Sequence, residues 1–262
     1  MPRLSANLST LFTELPFEQR FAAAASVGFK GVEFALPAPY DQDMGQLGDL
    51  VAANGLTLAV MDAPGGPEGE GIAAVAGRET EFHEAFEQAL EWADFLDCKR
   101  VNIPVGLVPD EDDYDKAFQV LTGNLSFAAR QAKSQGIKVL IEPLNPLDHP
   151  GVFLTRPDDA LTLLDEVEAT NLFILFDVYH AQRTQGGLSD FIEMAITQVA
   201  HIRLAGVPLH DEPDGGEINT PYLMSLLDSH GYDGWVGCSY HPRSGTRAGL
   251  KWAKDWGINP AR

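Results

Sequence analysis

The sequence predicts an α/β fold in which eight parallel strands close into one barrel spanning residues 1–262, and three observations carry that expectation. Short apolar runs alternate with longer stretches of helical periodicity from one end of the chain to the other, eight of each, which is the count of a closed (β/α)8 barrel. Glycines stand where a helical run hands over to the next strand, at Gly28, Gly55, Gly136 and Gly231. Polar residues follow directly on the last apolar runs, where a barrel presents its catalytic mouth.

The strands are expected at Leu4–Leu8, Gly31–Phe34, Thr57–Met61, Arg100–Ile103, Lys138–Ile141, Phe173–Phe176, His201–Leu204 and Trp235–Cys238. The helices between and after them are expected at Pro16–Val27, Asp43–Asn54, Arg78–Leu96, Asp113–Gln135, Arg156–Val167, Leu188–Ala195, Pro221–Ser229 and Gly249–Trp256. Thr13, Thr155 and Thr220 precede early prolines and read as helix starts, where the missing N–H of proline matters least. Two long connections, Asp62–Gly77 and Pro104–Asp112, belong to the face that shapes the site. A doubly wound sheet is the alternative, but no G-x-G-x-x-G follows the first strand and no phosphate-loop motif occurs anywhere.

Charge and composition exclude several functions. Eighteen Lys and Arg against 38 Asp and Glu leave a net charge of −20, which disfavours nucleic acid and anionic membranes as partners. The apolar runs break far short of the roughly 20 residues needed to span a bilayer, and the start lacks the apolar core of a signal peptide, so a cytoplasmic location is expected. Cys98 and Cys238 form no C-x-x-C or disulfide framework and read as reduced packing residues. Trp92, Trp235, Trp252 and Trp256 fall on helix or strand patterns as core residues.

Four strand ends carry the chemistry: Ile141-Glu142-Pro143, Phe176-Asp177-Val178, Ile202-Arg203-Leu204 and Cys238-Ser239-Tyr240. Glu142 and Asp177 come from adjacent strands, near enough to share a divalent cation, to divide acid and base roles, or to pair with Arg203 as a structural clamp. An arginine inside a strand needs a carboxylate partner or an anionic ligand. His180 is positioned to orient or protonate a substrate oxygen, whereas His201 reads as a structural residue of the barrel interior. In the loop after the seventh strand, Glu212 and Glu217 are placed to close the rim over a ligand. The acidic run Asp110-Glu111-Asp112 reads as a solvated loop.

These motifs resemble a known family, the hydroxypyruvate isomerases and 2-oxo-tetronate isomerases among the xylose-isomerase-like TIM barrels. The resemblance rests on Ala6-Asn7-Leu8-Ser9, Val32-Glu33-Phe34, Glu142-Pro143-Leu144-Asn145, Phe176-Asp177 with Tyr179-His180, Glu212-Pro213, Gly216-Glu217-Ile218-Asn219 and Gly234-Trp235-Val236-Gly237-Cys238. It implies a divalent metal between strand ends and carboxylates that move a proton between adjacent carbons of a small hydroxy-oxo acid. Glu142 matches the first catalytic glutamate and metal ligand, Asp177 the second ligand, and His180 a substrate-contacting histidine.

Half of the pattern departs. Arg203 stands where the family has a glutamine ligand, or histidine in wider relatives, and Ser239 where it has the second catalytic glutamate. Gly206 replaces a usual aspartate, and His210-Asp211 replaces a usual Arg-His. A guanidinium in place of a neutral ligand and one carboxylate fewer leave no bound metal or only a weakly held Mg²⁺ or Mn²⁺. The expected activity is an aldose–ketose type isomerisation of a small anionic hydroxy-oxo acid, with Glu142 as base and Ser239, Tyr240 or His180 relaying the proton. Arg203, His210, Glu212 and Tyr240 are the expected substrate contacts. The alternatives on the same scaffold are a metal-independent epimerase, lyase or decarboxylase of an oxo-acid, or a noncatalytic small-ligand-binding homologue. Relatives of this kind imply a homodimer or homotetramer.

Overall fold

A computed structural model describes residues 2–35, 43–66, 69–110 and 113–261. Eight strands, β1 (Arg3–Asn7), β2 (Gly31–Ala35), β3 (Thr57–Asp62), β4 (Arg100–Ile103), β5 (Lys138–Ile141), β6 (Leu172–Asp177), β7 (Val199–Leu204) and β8 (Trp235–Cys238), close into a barrel in sequence order. Every pairing is parallel, and β1 closes on β8 with Leu4 opposite Val236. The helices are α1 (Phe17–Val27), α2 (Met44–Ala53), α3 (Glu79–Phe95), α4 (Tyr114–Lys133), α5 (Pro157–Val167), α6 (Val178–Thr184), α7 (Leu188–Ala195), α8 (Thr220–Ser229) and α9 (Thr246–Gly249), followed by a 3₁₀ helix, Leu250–Trp256.

Successive side chains on a strand point to opposite faces, so each barrel strand feeds two cores. Outward residues such as Val32, Val101, Ile141, Phe176 and Cys238 pack against the helices in one continuous core. The inward side holds a small separate apolar cluster, Val60, Leu140, Leu175 and Ala200, with Phe173 beneath it. Above that cluster the inward position at the end of seven strands is polar: Asn7, Asp62, Asn102, Glu142, Asp177, Arg203 and Ser239. That ring is the origin of the site.

The expected turn glycines adopt left-handed conformations, and Gly28 illustrates the need. Its φ is 110°, its N–H caps α1 on the carbonyls of Ala24 and Ala25, and a Cβ there would lie 2.7 Å from the carbonyl oxygen of Gly257.

Three local readings are corrected. A helix, α6, starts immediately after β6, because the Asp177 carboxylate accepts a hydrogen bond from the His180 amide and caps it. Asn219, and not Thr220, caps α8 by accepting from the Tyr222 amide, while the Thr220 hydroxyl donates to the Pro213 carbonyl. Pro16 and Arg156 occupy the N-cap positions of α1 and α5 without side-chain caps, so neither Thr13 nor Thr155 serves there.

Cys98 and Cys238 are buried and free, and burial pushes the Cys98 thiol up to about 12. Trp92 and Trp235 are buried, whereas Trp252 and Trp256 are only partly covered. Of the acidic run at 110–112, Glu111 and Asp112 lie outside the described residues. Among the described residues no helix is long and apolar enough to cross a membrane.

Candidate active site at the barrel mouth

A cavity of about 360 Å³ opens at the C-terminal ends of the strands, lined by Asp62, Asn102, Glu142, Asp177, His180, Arg203, His210 and Ser239, with Glu70 and His149 also on its wall. Arg203 is its hub. Nη1 donates to Glu142 Oε2 at 2.8 Å, Nε to Glu33 Oε1 at 3.1 Å, and Nη2 reaches both Asp62 oxygens at 3.3 and 3.4 Å. Burial works against the Arg203 charge, but Asp62, Glu142, Glu33 and Asp177 outweigh it and hold the guanidinium protonated.

One cation among several buried carboxylates does not stabilise all of them equally. Burial pushes Glu142 up to about 8, and the nearby Asp177 and Asp62 charges add to this against the pull of Arg203. Burial also raises Asp177, opposed by its bond from the His180 amide. Asn102 Nδ2 binds the rim together, donating to Asp62 at 2.8 Å and Glu142 at 3.3 Å.

Beneath this layer, fully buried Glu33 takes the Arg203 Nε–H and a short hydrogen bond from His201 Nε2, with the Ser5 hydroxyl at 3.5 Å. Burial disfavours the Glu33 charge, yet His201 and Arg203 together lower its pKa below the usual glutamate value. The room for this carboxylate comes from Gly237 on β8, where a Cβ would meet Glu33 Oε1 at 2.6 Å.

His180 is neutral, because burial, reinforced by His149, takes it down to about 3. Its Nδ1 accepts from the Asn145 amide at 3.1 Å, so the proton sits on Nε2. The Tyr179 ring stacks on His210 at 4.0 Å, and its hydroxyl joins Asp148 and Arg183 in a hydrogen-bonded brace behind the site. Ser239 accepts from Asn7 Nδ2 at 3.1 Å and retains its own O–H as a donor, while its carbonyl meets His210 Nε2 at 3.0 Å.

Glu142, Asp177, Arg203, Ser239, His180 and His210 therefore share one cavity. Glu212 and Tyr240 do not line it, which corrects the expectation of substrate contact. Glu212 binds the Arg243 backbone N–H at 3.1 Å and side chain at 2.8 Å. Tyr240, one residue beyond inward-facing Ser239, points among the helices, with its hydroxyl at Gly249 and Trp252. His201 sits inside the barrel as expected. Glu33, Asp62 and Asn102 complete the site without having been singled out in the sequence. Asp62 closes the third apolar run just as Glu142 closes the fifth, and that signal was available.

The family pattern implies a divalent metal at these strand ends. The guanidinium of Arg203 already occupies oxygens of Glu142 and Asp62, and among the described residues no group of three or more His, Cys, Asp or Glu is arranged to hold an ion. The residues present do not fit a resident divalent cation.

Fold and site define a class: a (β/α)8 barrel whose polar strand ends enclose a small-molecule cavity. Within that class, a family model described as xylose isomerase-like TIM barrel matches residues 21–256, and the chain belongs to that family. It is 45% identical to a 2-oxo-tetronate isomerase of Cupriavidus necator over 98% of this chain and 99% of the relative. It is 41% identical to a hydroxypyruvate isomerase of Escherichia coli over 96% and 98% of the two chains. The crystal structure of an AP endonuclease, family 2, from Brucella melitensis superposes with a TM-score of 0.93 at 39% identity, covering 98% of this chain and 100% of that one. The chain is thus homologous to isomerases acting on small oxo-acids over nearly its whole length.

Proposed function

We propose that the protein isomerises a small hydroxy-oxo acid with Glu142 as the proton-transfer base and Arg203 supplying the positive charge at the reacting oxygen. The observation that supports this reading is the 2.8 Å contact of Arg203 Nη1 with Glu142 on the cavity wall, a geometry suited to a base beside an electrophile.

With hydroxypyruvate as substrate, Glu142 removes a proton from C3. The electron pair left behind forms the C2–C3 double bond, and the carbonyl electrons move onto O2. Arg203 stabilises that oxyanion, the developing charge being greater than that of the ground-state carbonyl. The O3 proton passes to O2 through the Ser239 hydroxyl, which both accepts and donates, while the His180 Nε2–H fixes the oxygens. Glu142 then returns its proton to C2, leaving a hydroxyl at C2 and an aldehyde at C3. Atoms and electrons balance without an external oxidant or reductant.

The test is turnover of hydroxypyruvate in D₂O by enzyme stripped with a chelator. Isomerisation with deuterium entering the carbon-bound positions is expected. Absence of both turnover and exchange, or activity restored only by added Mn²⁺, overturns the assignment.

A further inference from the structure

The opposite end of the barrel breaks a local rule. Arg100 opens β4 and Lys138 opens β5, and the two are register partners on adjacent parallel strands, so their side chains leave the same face side by side. Like charges placed directly opposite destabilise a sheet, and a rule broken without local compensation points to a functional constraint.

Compensation by a carboxylate is weak: among the described residues Asp233 acts on Lys138 as a nearby charge, with less effect than burial and Arg100. Arg100 is anchored by carbonyls instead, with Nε donating to Ala200 at 2.9 Å and Nη1 to Ala59 at 3.4 Å. Lys138 Nζ lies over the Phe173 ring, 4.6 Å from its centroid. Burial and then the Arg100 charge lower the lysine pKa, and Asp233 opposes them with the smallest effect of the three.

Both cations line a cavity of about 230 Å³ whose other walls include Phe173, His230, Tyr232 and Asp233. Asp233 is the one carboxylate on that wall among the described residues. This local excess of positive charge occurs in a chain of net charge −20.

We propose that this cavity binds a small oxyanion of the phosphate class, with Lys138 as the point charge and the uncommitted Nη2 donors of Arg100 as the directional contacts. Arginine retains donors after two of its five N–H groups are spent, and their fork matches phosphate oxygens. The anion removes the mutual repulsion of the two cations, so its binding favours the folded barrel. This face of such barrels carries stability and not chemistry, and the ligand is accordingly a stabiliser separate from the substrate at the mouth.

The test is thermal unfolding of the full chain with inorganic phosphate titrated through the millimolar range, ionic strength being held constant with chloride. A saturable rise in Tm is expected, and Lys138→Met, which keeps apolar contact with Phe173 but loses the charge, should weaken the apparent affinity about tenfold or more. Arg100→Lys keeps a charge while losing the fork, and should weaken it as well. Glycerol phosphate in a parallel titration separates the sources: tighter binding identifies a phosphomonoester, and tighter binding of inorganic phosphate identifies the free ion. The response of Tm to hydroxypyruvate should be the same in Lys138→Met as in the unaltered protein, which places the phosphate effect away from the mouth. A phosphate effect no larger than that of chloride, or one undiminished in Lys138→Met, overturns the proposal.

Discussion

Arg203 and Glu142, from neighbouring parts of the barrel rim but 61 residues apart in sequence, meet in a 2.8 Å charge-assisted hydrogen bond. The same guanidinium is shared with Glu33 and Asp62, so Glu142 holds only part of one positive charge. Glu142→Gln preserves the hydrogen bond to Arg203 but removes the base. Turnover of hydroxypyruvate is expected to fall about 10²-fold or more with KM little changed, as steady-state kinetics will report. Near-normal turnover assigns the base elsewhere.

Metal binding should respond to two residues together. Arg203→Gln alone removes the cation, and Ser239→Glu alone adds a carboxylate that Arg203 captures. The double variant offers Glu142, Asp177, an amide and a second glutamate. Calorimetric titration with Mn²⁺ across the four proteins should give a coupling energy of about 0.5–3 kcal/mol, as for residues of one site. Additive energies, or stoichiometric micromolar binding by the unaltered protein, contradict the metal-independent reading.

The pH dependence has two opposite arms. Glu142 is raised from 4.5 to about 8, so the folded state binds its proton more tightly than the unfolded chain does. The stability it contributes is fully present below pH 4.5 and is lost as pH rises through about 8. His180 is lowered from 6.5 to about 3, so its contribution is present above pH 6.5 and is lost as pH falls through about 3. Urea unfolding between these limits should show the alkaline loss diminished in Glu142→Gln. Turnover should rise with the ionised fraction of Glu142 as pH passes through about 8.

Glu33 is a structural carboxylate whose removal strands two partners. Glu33→Ala leaves Arg203 Nε and His201 without their acceptor in a fully buried position. A loss of about 3–5 kcal/mol is expected from denaturant midpoints. Gly237→Ala attacks the same contact from β8, since its Cβ would lie 2.6 Å from Glu33 Oε1, and a loss of about 1–3 kcal/mol is expected. An unchanged midpoint in both variants contradicts this role for Glu33.

The barrel was legible because each strand declares itself locally. Apolar runs such as Val139-Leu140-Ile141 end in one polar residue, and turn glycines such as Gly136 separate them from the preceding helix. Asp177 was equally legible as a site residue, but its second role as the cap of α6 was hidden by the continuous apolar look of Phe176, Val178 and Tyr179. Asp62 is less legible because a glycine- and proline-rich loop follows it, although its strand position parallels that of Glu142.

By itself the sequence determined the eight-unit repeat and the polar strand ends, Arg203 and Ser239 among them. These are properties of residue type and of spacing over a few positions. The partners of Arg203 were decided by the tertiary structure alone. Barrel closure brings β2, β3, β5 and β7 around one guanidinium, although Glu33 and Arg203 are 170 residues apart. Likewise the alternation of faces, once anchored by closure, sends Ser239 into the cavity and Tyr240 into the helical layer. A pattern of period two gives two opposite faces on every strand, and only the closed barrel decides which of them is the inside.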